Sequence, residues 1–141
     1  MDDESIRAKI NKYNCQITKN INEANRLSNK INEFVQMRKK FNETSEKLYN
    51  YQTGKRNRFE KLKYELQNTR FVVQSCDEML GFIDGNEAEI ASNSVDNCIA
   101  RVDDEINNIR ERIDELKREN RLLNSRVNDL REQLRRNMEM R

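Results

Sequence analysis

The chain has 141 residues, of which 37% are charged and 35% are hydrophobic, and its formal net charge is +2. A chain this polar cannot bury a thick globular core, and its interspersed charges give no strong attraction to nucleic acid or to a membrane. It has no proline and only 3 glycines, so few breaks are expected between its helices. The composition therefore favours helices that each bury a narrow apolar stripe.

The first predicted helix covers about residues 3–50. Its apolar residues recur at two positions of a heptad repeat, a pattern typical of a helix that packs one stripe against another helix. One position carries Ile6, Tyr13, Leu27, Phe34, Phe41 and Leu48, with Asn20 among them, and the other carries Ile10, Ile17, Ala24 and Ile31.

The next segments are defined by glycines. A turn is predicted at residues 51–54, because Gly54 accepts the backbone conformations that end a helix. A second helix should follow over about residues 55–83. Gly85 and the poor helix formers after it predict a break at residues 84–94, and a third helix should cover about residues 95–137.

The third helix carries the most regular heptad seam of the chain. Its members are Ile99, Val102, Ile106, Ile109, Ile113, Leu116, Asn120, Leu123, Val127, Leu130 and Leu134. A buried Asn120 would fix the register of a parallel two-stranded coil. The flanking charges of such a pair would partly repel, so antiparallel or heteromeric pairing is favoured and a parallel homodimer stays an alternative.

Together these segments predict an all-α fold, a long antiparallel helical hairpin of the coiled-coil type in one elongated domain. The second arm is either one bent helix or two helices with a corner near residues 84–94. The three predicted helices together carry more apolar surface than packing within one hairpin can bury. We therefore expect the seam of the third helix to be a protein interface.

Residues for catalysis are scarce. There is no histidine, no glycine-rich phosphate loop, and the 3 cysteines are too few and too widely spaced for a zinc site or a disulfide framework. The sequence predicts no enzyme activity, no cofactor, no metal and no small-molecule substrate. The basic stretch at residues 55–63 is separated from the seam by an acidic stretch, so nucleic-acid binding is not expected, and no apolar run is long enough for membrane insertion.

Four residues around the predicted turn carry a family resemblance. Tyr51, Gly54, Lys55 and Phe59, followed by the Ile and Leu heptads, resemble the YwqH-like proteins that accompany LXG toxins of type VII secretion. Those proteins are similar to the WXG (ESX-type) helical hairpins. This chain departs from the pattern by a Tyr where the family has Trp, by its spacing to Gly54, and by the lack of a YxxxD/E export signal.

The resemblance implies a non-enzymatic escort, or targeting chaperone, that binds the helical N-terminal domain of an LXG-type toxin or a second small helical protein. Such a protein would be cytoplasmic, or exported together with its partner. The alternative is a self-associating, dimeric coiled-coil scaffold or spacer, which the seam residues and Asn120 favour. In both hypotheses the seam from Ile99 to Leu134 supplies the interface.

Overall fold

The computed structural model describes residues 2–141, apart from the side chain of Glu87, and over this range the chain is 94% helical without a strand. It forms three helices, α1 (Asp3–Glu65), α2 (Arg70–Ile83) and α3 (Asn86–Glu139). The prediction of an all-α antiparallel helical hairpin is confirmed. The positions of its turns differ from those predicted.

Helix α1 is capped at its start and continues through the predicted turn. The backbone N–H of Ser5 donates to Oδ1 of Asp2 at 2.7 Å, and this hydrogen bond lowers the pKa of the Asp2 carboxyl. The predicted turn at residues 51–54 is wrong, because all four residues lie inside α1. One glycine costs a helix only about 1 kcal/mol, which the surrounding helix-forming residues and their packing outweigh.

The chain reverses instead at residues 66–69. Thr69 is the N-cap of α2, with extended backbone angles of φ −104° and ψ 98°. Its N–H donates to the carbonyl of Leu66 at 2.9 Å, and its carbonyl accepts from Val73 at 3.1 Å. The predicted second helix is therefore divided, since its first part is the end of α1 and its last part is α2.

The second break is shorter than predicted. Only residues 84–85 separate α2 from α3, so α3 starts at Asn86 rather than near residue 95. The N–H of Asp84 donates to Leu80 at 3.0 Å, and the carbonyl of Gly85 accepts from Glu89 at 3.3 Å. A Cβ on Gly85 would lie 2.9 Å from the carbonyl oxygen of Gly81, so this sharp connection requires glycine.

The chain divides into two compact units. Unit 1 comprises the residues up to Phe34 together with Glu105–Arg141, and unit 2 is Val35–Asp104. In unit 1, α1 and α3 are antiparallel, with Asp3 hydrogen-bonded to Asn137 and Asn20 to Asn120. The unit has two buried clusters, one around Leu27, Ile109, Ile113 and Leu116, the other around Ile6, Ile10 and Val127.

Unit 2 pairs the later part of α1 with α2 and with the start of α3. Ion pairs join Lys63 to Asp77, Arg56 to Asp84 and Arg38 to Asp103, so this pairing is also antiparallel. Among the described side chains of this unit, Cys76 and Val102 are the buried hydrophobic ones. Unit 2 therefore has a much smaller buried core than unit 1.

Two glycines test these helix boundaries in opposite directions. Gly54→Ala should raise the free energy of unfolding by about 1 kcal/mol, because a Cβ there meets nothing within 4 Å and alanine favours helix. Gly85→Ala should lower it by about 1–3 kcal/mol through overlap with the Gly81 carbonyl. Urea unfolding followed by circular dichroism measures both changes, and a loss of stability in Gly54→Ala would contradict the continuous α1.

Candidate protein-interaction surface

The seam predicted as an interface is the core of the chain. Val102, Ile106, Ile109, Ile113, Leu116, Leu123 and Val127 are all buried within the monomer. In unit 1, α1 supplies the covering side chains, with Leu27, Ala24, Ile31 and Phe34 around the middle of the seam. In unit 1, α1 therefore occupies the surface that was predicted as an interface.

The ends of the seam are half-buried. Leu130 and Leu134 pack against the Ile6 cluster of unit 1. Ile99, in unit 2, lines an open groove with Leu48 and Tyr49 of α1. None of these three side chains presents a free stripe comparable to the predicted interface.

Asn120 has an intramolecular partner instead of a second copy of itself. The Nδ2 of Asn20 donates to Oδ1 of Asn120 at 2.8 Å, and the Nδ2 of Asn120 donates to the carbonyl of Ile17 at 3.3 Å. Gln16 in turn donates to Oδ1 of Asn20 at 2.9 Å. Asn20 is only 5% exposed, so this network satisfies a buried amide and fixes the register of α1 against α3 within unit 1.

The four residues of the family resemblance lie along α1 and form no turn. Tyr51 is exposed, Phe59 is half-buried and Gly54 is exposed. The Nζ of Lys55 lies 5.4 Å from the centroid of the Tyr51 ring, which is a cation–π contact. Tyr51 and Lys55 also line a shallow groove of unit 2 with Phe82 and Ile83.

Exposed aromatic side chains are concentrated in unit 2. Those that exceed 60% exposure are Tyr49, Tyr51, Tyr64, Phe71 and Phe82. All five belong to Val35–Asp104. Aromatic residues are enriched at protein interfaces, and large exposed ones in proximity usually mark an interaction site.

Helix α2 is apolar on two faces. Its inner face carries Val72, Val73, Cys76, Leu80 and Ile83, which are buried or half-buried. Its outer face carries the exposed residues Phe71, Gln74, Glu78, Met79 and Phe82, with Gly81 beside them. Phe71 is 77% exposed, Phe82 is 78% exposed and Met79 is 48% exposed. Three large apolar side chains exposed on one face of a 14-residue helix are typical of a protein contact, so the outer face of α2 is the candidate interaction surface.

Two ion pairs hold α2 on α1. Asp84 accepts from Arg56 and raises the pKa of its guanidinium, and Asp77 accepts from Lys63 and raises the pKa of its ammonium group. Both pairs are solvent-exposed and each contributes little to stability. They orient the inner face of α2 toward α1, which leaves the outer face accessible.

The described part of the chain holds no cluster of three side chains suited to a metal ion. Cys15, Cys76 and Cys98 are free thiols. Of the helices described, none combines the length and apolarity that a membrane crossing requires.

The outer face of α2 was missed by the sequence analysis. The heptad pattern selects one stripe per helix, and in this segment it selects the inner face. The available signal was that Phe71 and Phe82 lie about three turns apart on one line of the helix, opposite that stripe.

Comparisons with models of protein families, with curated proteins and with solved structures found no match to this chain.

The asparagine pair gives a prediction for stability. Asn120→Leu should lower the free energy of unfolding by about 1–3 kcal/mol, because it leaves the buried Nδ2 of Asn20 without an acceptor. The double variant Asn20→Leu, Asn120→Leu should recover most of that loss. Asn108→Leu, at an exposed site on α3, is the matched control. A more stable Asn120→Leu in thermal unfolding would show that the pair does not form.

Proposed function

We propose that this chain is a non-enzymatic interaction protein whose outer face of α2 binds a helix of a protein partner. The observation that carries the proposal is that α2 is apolar on two faces, while the rest of unit 2 covers only one of them. The apolar seam on α3 is buried within the chain, so it does not offer a second exposed apolar surface of this kind. These observations support a role for unit 2 in the proposed function.

The form of the surface favours a helical partner. Phe71 and Phe82 lie on one line of α2 with Glu78 between them, and Met79 is next to that line. Such a ridge fits the groove of another helix, whose own apolar residues recur at matching intervals. The shallow, open grooves around Phe82 lack the enclosure that a small-molecule site needs.

One hypothesis for the partner is the helical N-terminal domain of an LXG-type toxin, as the resemblance to YwqH-like proteins implies. The chain would then act as an escort in the cytoplasm or leave the cell with the toxin. The hypothesis rests on the identity and order of four residues, Tyr51, Gly54, Lys55 and Phe59. It does not rest on a turn, because α1 continues through all four. The alternative is a self-associating scaffold, which the exposed apolar side chains of α2 also favour.

The outer face can be tested by removing its two most exposed aromatic rings. The double variant Phe71→Ser, Phe82→Ser should weaken binding to a helical partner at least about thirtyfold, because buried aromatic anchors dominate such interfaces. The assay is co-expression with a helical N-terminal domain of the LXG type, followed by affinity measurement by titration calorimetry. Both rings are largely exposed, so the circular dichroism spectrum should not change.

The control is Leu122→Ser, which removes an exposed apolar residue, 62% exposed, from unit 1. It should bind as the unchanged chain does. Equal binding by the Phe71, Phe82 double variant would move the function away from α2.

A further inference from the structure

We propose that the groove of unit 2 between Tyr51 and Phe82 binds an acidic helical segment of another protein, which inserts an apolar side chain and pairs a carboxylate with Lys55. This inference goes beyond the proposed function, because it assigns a second site with a charge preference of its own. The two sites share Phe82. The partner segment is defined by its chemistry, an apolar and an acidic side chain one helical turn apart.

The groove has an apolar base and aromatic edges. Leu48, Ile83 and Ala88, which come from α1, α2 and α3, line it and are half-buried. Tyr51 is 64% exposed and Phe82 is 78% exposed, so the two rings form its edges. The groove is open to solvent, which suits a side chain presented by a protein better than an enclosed small molecule.

Lys55 supplies the charge of this groove. Of the described residues that line it, Lys55 is the charged one. Its side chain is half-buried, and its Nζ lies 5.4 Å from the centroid of the Tyr51 ring, which holds the ammonium group beside the apolar base. Lys63 is also half-buried, and it is paired with Asp77 of α2. A carboxylate supplied by a partner would meet at Lys55 the same charge that Asp77 meets at Lys63.

The spacing of the two groups favours a helical partner. Tyr51 and Lys55 are four residues apart on α1, so they lie on one face of that helix. An apolar and an acidic residue three or four positions apart have the same arrangement on a partner helix. Such a helix, lying along α1, would place its apolar side chain between Tyr51 and Phe82 and its carboxylate within reach of the Lys55 ammonium group.

The charges around the groove favour a single carboxylate over a polyanion. Glu78 lies beside Phe82 on the outer face of α2, and Asp84 and Glu89 line the hollow next to the groove. Arg56 offsets Asp84 by direct pairing. A nucleic-acid strand would bring several phosphates close to these acidic side chains, whereas one acidic residue of a protein meets the lysine of the groove.

The first test is a selection of peptides on the full chain. A phage-displayed library of randomised helical peptides about four turns long is first depleted on the Tyr51→Ser chain, so that the selection reports on the groove. On the unchanged chain, the enriched peptides should carry Asp or Glu three or four positions from a large apolar residue. On Lys55→Glu, Lys or Arg should take that place. No enrichment, or the same charge preference on both chains, would overturn the inference.

The second test is the affinity of one selected peptide, measured by fluorescence anisotropy. Lys55→Glu should weaken binding about tenfold or more at low salt, and the loss should shrink as added salt screens the pair. The matched controls are Lys47→Glu, at an exposed lysine of α1, and Tyr49→Ser, which removes a 67% exposed ring from a different groove. Both should bind as the unchanged chain does, with unchanged circular dichroism spectra. An equal loss in Lys47→Glu would contradict a specific pair at Lys55.

A short oligothymidylate is the probe for a polyanion at the same groove. It should not compete with the selected peptide at physiological salt. If it binds more tightly than the peptide and loses that binding in Lys55→Glu, the groove recognises nucleic acid and the inference is wrong.

The variant Phe71→Ser separates this inference from the proposed function. Phe71 lies near the start of α2, at the opposite end from Phe82, and is not among the residues that line the groove. The variant should leave the affinity for the selected peptide unchanged and weaken binding of a helical N-terminal domain of the LXG type. Unchanged binding of that domain counts against the proposed function alone. Unchanged peptide affinity in Lys55→Glu counts against the groove alone.

Discussion

The antiparallel packing of α1 on α3 in unit 1 is the interaction on which the remaining features depend. It removes the α3 seam from water, and each aliphatic side chain buried in it contributes about 1.5–3 kcal/mol before the entropy of ordering is subtracted. The hydrogen bonds from Asn20 to Asn120 and from Asn120 to the carbonyl of Ile17 favour one register, since a shift along the helix would leave the buried amide of Asn20 unsatisfied. The most regular apolar stripe of the chain is therefore used for intramolecular packing.

The sequence predicted the helical class well and the ends of the helices less well. Heptad spacing is a long-range average, so a seam such as Ile106 to Val127 is evident although no single residue defines it. A turn depends on one or two residues, and a prediction from Gly54 alone neglects the helix formers around it. The actual reversal is at Asn68 and Thr69, residue types that favour helix N-termini. No glycine lies beside them, so this turn lacks the residue type on which the predicted turn was based.

The intramolecular burial of the α3 seam was not predicted, for a related reason. With α1 assumed to end near residue 50, the α3 seam appeared longer than its cover, whereas α1 in fact extends to Glu65. The heptad pattern did not predict the apolar outer face of α2, because it assigns one apolar stripe to each helix. Two rings about three turns apart, Phe71 and Phe82, are too sparse to register as a second stripe.

The weak core of unit 2 has a consequence for its dynamics, which the cysteines make measurable. Segments with few buried apolar side chains open locally at a lower free-energy cost than a well-packed core. Cys76 is 3% exposed on the inner face of α2, while Cys15 in unit 1 is exposed. A thiol reagent reaches Cys76 only when α2 lifts from the rest of unit 2, and its reaction with Cys15 gives the unprotected rate in the same molecule. The chain therefore contains both a reporter of that opening and its internal reference.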